Sequence, residues 1–74
     1  MANGDAHVTY RDEDDKWAVD VEGAAWAASR HDKKERAERA GRAQAEENEA
    51  DLIVHRKDGQ IQERSRYKRD SPGN

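Results

Sequence analysis

From His7 onward the chain alternates. Val8 and Tyr10 fall on one side of HVTYR, and Trp17, Val19 and Val21 fall on one side of KWAVDVE. Period-two alternation predicts half-buried strands near 7–11 and 16–22. The polar, strand-avoiding run Asp12-Glu13-Asp14-Asp15 between them makes the pair an antiparallel hairpin. Gly23 breaks the alternation, and past it the period lengthens. Ala37, Ala40, Gly41 and Ala45 lie three, four and eight positions from the first of them, so they share one helical face. A helix over about 33–49 follows, with Asp32 or Ser29 as its N-cap. Its inward face is made of small side chains, so it can lie close on a sheet, and close packing is the expected use of Gly41.

The third segment is LIVHRKDGQIQER, residues 52–64. It predicts strands near 51–57 and 60–65, joined by a type I′ turn whose central residues are Asp58 and Gly59. Aspartate tolerates positive φ there and glycine takes it freely. Leu52, Ile53 and Val54 are apolar in succession, which predicts a strand covered on both faces. The helix covers one side, and Ile53 is expected to meet a partner on the other. The predicted fold is therefore α+β, a ββαββ domain: a small, mostly antiparallel four-stranded sheet with one helix packed on one face. Its core is Trp17, Val19, Val21, Ala37, Gly41, Leu52, Val54 and Ile61. Residues 1–6 and 68–74, without periodicity and rich in turn formers, are expected to be loose ends of a single domain over 7–67.

Composition changes the picture in one respect. Eleven bulky apolar or aromatic residues fall within this fold, and half of the hydrophobic count is alanine. A core of that size supplies only about 3–5 kcal/mol, and small domains usually add a staple. Without cysteine there is no disulfide and no thiolate metal site. Self-association is the remaining staple, so a homodimer is expected. Trp26, set among alanines with no alternation to bury it, is expected to cover an end of the sheet, to dock into the dimer interface as the second candidate beside Ile53, or to face a ligand, in that order.

Charge is abundant but nearly balanced, 42% of residues for a net −3. It is unevenly placed: residues 30–42 carry six basic and three acidic side chains, and 46–51 carry four acidic and no basic ones. That order opposes the helix macrodipole, with some compensation from Glu35–Arg39 and Glu38–Arg42 pairs. A second basic cluster, Arg64, Arg66, Lys68 and Arg69, surrounds Tyr67. Together with Arg36 and Arg39 it makes the alternative reading, a weak, sequence-nonspecific nucleic-acid-binding module. The two readings separate on whether the basic clusters converge on one face free of the acidic 12–15 turn.

Catalytic and metal signals are weak. His7, His31 and His55 are widely spaced, without the ligand pairs of zinc sites. Ser29, Ser65 and Ser71 lie in no nucleophile-elbow setting. No catalytic residue, cofactor or metal is expected. No apolar run reaches the length of a membrane span and none reads as a signal peptide, so the expected location is cytoplasmic.

KWAVDVEG at 16–23, AS at 28–29, AGRAQA at 40–45, ADLIVHRKDGQI at 50–61 and Tyr67 together resemble a small bacterial family labelled domain of unknown function 2188. The resemblance spans about residues 7–70. The family usually has threonine where Lys33 stands and larger aliphatics near Glu38 and Gln44. Their absence leaves the core short of bulk, in keeping with self-association. The resemblance implies the ββαββ order and no activity.

Overall fold

A computed structural model describes residues 4–67. Five strands and one helix follow in the order β1 (Ala6–Arg11), β2 (Lys16–Val21), β3 (Ser29–His31), α1 (Lys34–Asn48), β4 (Asp51–His55) and β5 (Ile61–Arg66). The sheet order is β3-β2-β1-β4-β5. β1 and β2 form the expected antiparallel hairpin, Val8 opposite Val19 and Tyr10 opposite Trp17. Asp15 takes the left-handed conformation in their turn, with φ 55°.

The sheet departs from expectation in two ways. It has five strands rather than four, because Ser29–His31 pairs antiparallel with the outer edge of β2. It is also mixed, because β4 lies parallel to β1, Val8 opposite Val54. With β2 already filling one side of β1, the helix returns the chain to the other side in the same direction. Residues 4–6, expected to be loose, are ordered: Ala6 opens β1, and Asp5, 2% exposed, accepts the Asp51 backbone N–H on Oδ1 at 3.0 Å.

Alternation puts Ala6, Val8, Trp17, Val19, Leu52 and Val54 on one face, where they meet Ala37 and Ala45 of the helix. Gly41 is buried on the same helix face. The remaining core expectations fail in part. Val21, at the end of its strand, is half-buried. Ile61 is 52% exposed, for two reasons. The main packing of α1 is on β1 to β4, leaving β5 beyond its cover. The pairing of β4 with β5 also shifts register between Val54 and His55. At the helix N-terminal end, Tyr10 and Trp17 pack ring to ring at 5.2 Å. Lys34 and Lys57 place their Nζ atoms over these rings, at 5.1 Å from Trp17 and 4.7 Å from Tyr10.

Neither predicted N-cap serves. Lys33 is the N-cap residue, with no side-chain cap bond. The Asp32 carboxylate instead receives Lys16, and the Ser29 hydroxyl bonds His31 Nε2. The β4–β5 turn is also corrected. Gly59 N–H donates to Arg56 O, so Lys57 and Asp58 are the central residues, and Gly59 alone has positive φ, at 92°. Arg56 N–H then donates to Gln60 O across a three-residue loop. A turn closed one residue early needs a left-handed residue only after it, so Asp58 is released to accept the Gln60 N–H.

Candidate functional site

The sheet face away from α1 is a layer of paired polar side chains. Arg11 donates twice to Asp20, at 2.8 and 2.9 Å, and Thr9 donates to the same carboxylate. This hydrogen bond, with the charge of Asp20 behind it, raises the Arg11 pKa further. Arg64 donates through Nε and Nη2 to Asp51 Oδ2, at 2.9 and 2.6 Å, and Arg66 Nε stands 3.8 Å from the other oxygen. Ile53, flanked in register by His7 and Arg64, is fully buried on this face. It is therefore not an interface residue: the long polar side chains beside it have closed over the position that the sequence left open.

Across the same face runs a chain of contacts from Glu22 to the β4–β5 turn. His7 Nε2 lies 2.9 Å from Glu22 Oε2, His7 Nδ1 lies 3.0 Å from His55 Nε2, and His55 Nδ1 lies 3.2 Å from Gly59 O. The imidazoles stack at 5.3 Å. A carbonyl only accepts, so His55 carries its proton on Nδ1 and accepts at Nε2 from His7. This arrangement ties β1, β2 and the hairpin together, and both histidines are consumed by it. Among the described residues no His, Cys, Asp or Glu group suited to a metal ion occurs.

The opposite edge of the sheet is different. The β2–β3 loop turns at Gly23, φ 91°, and rejoins β2 where Ala28 N–H donates to Val19 O at 2.7 Å. Between these points Ala24, Ala25 and Trp26 are exposed, Trp26 by 81%. Beside the loop, His31 of β3 and Arg36, Arg39, Ala40 and Ala43 of α1 line a groove of about 360 Å³. A second cavity of about 400 Å³ adjoins it, lined by Arg30, His31, Asp32, Lys33 and Arg36. Arg36 and Arg39 form no ion pair among the described residues, although Asp32 lies near enough to Arg36 to feel its charge.

Among the described residues the basic clusters of the sequence therefore do not converge. Arg36 and Arg39 stand by β3, whereas Arg64 and Arg66 lie on β5 at the far edge, turned toward Asp51. Lys68 and Arg69 fall outside the described residues. The acidic turn meets the first cluster at Arg30, which pairs with Asp14 at 2.8 Å, while Asp15 accepts the Tyr10 hydroxyl. Of the two candidate interface residues, Trp26 is available and Ile53 is not.

One helix on a five-stranded mixed sheet, with one face closed by ion pairs and an apolar loop at an edge, defines a small α+β domain. The chain belongs to the family described as an uncharacterized protein conserved in bacteria (DUF2188), whose model matches residues 6–67. No curated protein and no solved structure matches it.

Proposed function

We propose that this chain is a non-enzymatic interaction module that works in the cytoplasm as a homodimer. The observation that carries the reading is Trp26, 81% exposed on a loop of alanines in a domain with few large apolar residues to spend. A tryptophan left in water at a loop tip forgoes burial of some 150–250 Å² of surface, and such residues anchor interfaces. The small core supports the same conclusion, since association supplies the burial that the monomer lacks. No helix among the described residues is long and apolar enough to cross a membrane.

Sedimentation equilibrium at micromolar concentration tests this reading. The expected mass is twice the 8.4 kDa of the chain, and a clean monomer contradicts it. The nucleic-acid alternative retains Arg36 and Arg39, while Arg64 and Arg66 lie on the far edge strand, turned toward Asp51. Fluorescence anisotropy with single- and double-stranded probes at about 50 mM salt decides it, because phosphate contacts are strongest at low salt. No binding is expected.

A further inference from the structure

We infer that Trp26 of one copy docks in the groove between β3 and α1 of a second copy, each subunit both giving and receiving an indole. The inference rests on the homodimer reading and specifies its contact.

Three observations converge on the second copy as occupant. First, the groove suits an aromatic ring. It is lined by Ala40 and Ala43 together with His31, Arg36 and Arg39, the two arginines without an ion-pair partner among the described residues. Cations beside apolar groups are complementary to the negative face of an indole, the best of the cation–π acceptors. The volume of about 360 Å³ admits one such ring with room for adjustment. Second, Trp26 is the exposed aromatic among the described residues, and at 81% exposure it does not occupy the groove of its own chain. Third, topology sets both features along one edge. β3 is an edge strand with Trp26 three residues before it and His31, which lines the groove, at its end.

A two-fold axis beside β3 then makes the exchange. In an antiparallel pairing of the two β3 strands, the segment before the strand in one copy faces the segment after it in the other. Pairing centred on Ser29 sets Trp26 opposite position 32 of the second copy, next to His31, which lines the groove. Such a contact is isologous and closes after two copies.

Sedimentation equilibrium of designed variants provides the test. Trp26→Ala removes the ring, and Ala43→Arg fills the groove; both sites are exposed, and circular dichroism verifies that both variants fold. Each alone is expected to raise the dimer dissociation constant about tenfold or more, as for a central interface anchor. An equimolar mixture should associate more tightly than either variant alone, because one intact ring then meets one intact groove. Ile61→Lys, on the opposite edge, should leave the dimer unchanged. Variants that dimerise like the wild type, or a mixture that shows no rescue, overturn the docking and leave the homodimer reading standing. A monomeric wild type overturns both.

Discussion

Leu52 Cδ1 lies 2.9 Å from the point where a Cβ on Gly41 would stand, and Val8 Cγ2 lies 3.1 Å from it. The missing side chain is what lets α1 lie on the sheet above β1 and β4. Both neighbours are buried, Val8 completely and Leu52 to 4% exposure, so neither has free space to retreat into.

Gly41→Ala therefore sets two effects against each other. Alanine gains about 1 kcal/mol of helix propensity over glycine. Overpacking a closed core costs about 1–3 kcal/mol. With a rigid valine at 3.1 Å the second effect should prevail, giving net destabilisation of about 1 kcal/mol, and Gly41→Leu should prevent folding. Urea denaturation measures this, and a stabilised Gly41→Ala protein would show that the helix has room to lift.

Trp17, 8% exposed and packed against Tyr10, is the largest side chain in the core. Its truncation to alanine should cost about 3–5 kcal/mol, comparable with the whole stability expected of so small a core. Trp17→Ala should show no cooperative thermal transition. A sharp transition near that of the wild type would move the core elsewhere.

These positions mark how far the sequence could be read. Trp17 and Val19 alternate cleanly, and Ala37, Gly41 and Ala45 hold helical spacing, so both faces of the core were legible from local pattern. β3 was not, because Ser29-Arg30-His31 is short, polar and held by pairing with β2 rather than by its own preference. Parallel pairing of β1 with β4 has no local signature either. Ile61 alternates like a core residue but lies on a strand beyond the helix, a fact of sheet order. Ile53 read as an interface because its cover comes from His7 and Arg64, polar residues distant in sequence. At the candidate site, the alanine setting of Trp26 showed no strand face to bury it but pointed first to cover over an end of the sheet, and its 81% exposure was not legible. Nor was the groove, since it forms between His31 and the helix flank only once β3 exists.

Asp5 offers a polar counterpart. Its carboxylate accepts the Asp51 backbone N–H at the start of β4, where both residues are buried. Asp5→Ala should leave that donor without its acceptor, at a cost of about 1–3 kcal/mol. Asp5→Asn keeps an accepting oxygen and should lose less. Denaturation midpoints of the two variants check the order, and equal losses would show that the N–H bond is not what Asp5 contributes.

The dependence of stability on pH has a definite sign. The hydrogen bond and charge of Lys16 hold Asp32 below its ordinary value of 3.8. That contribution is present above pH 3.8 and lost as pH falls through the lowered folded value. Asp32 in turn raises Lys16 above 10.5, and the bond to Asp15 raises Tyr10 above 10.0. These contributions are complete below those values and lost as pH rises through the folded ones. From these groups the melting temperature should be flat across the neutral range and fall at both extremes. Tyr10→Phe should remove part of the alkaline fall, and Lys16→Met part of both. Unchanged profiles would show that these exposed pairs contribute nothing measurable, as many surface ion pairs do.

Self-association as the staple of this small core makes thermal unfolding depend on protein concentration, which a hundredfold dilution series measures. A folded dimer in equilibrium with unfolded monomers is stabilised by mass action, so its melting temperature rises with concentration. The account predicts that rise, and a smaller one for Trp26→Ala. A melting temperature independent of concentration, with a cooperative transition at every dilution, would contradict it.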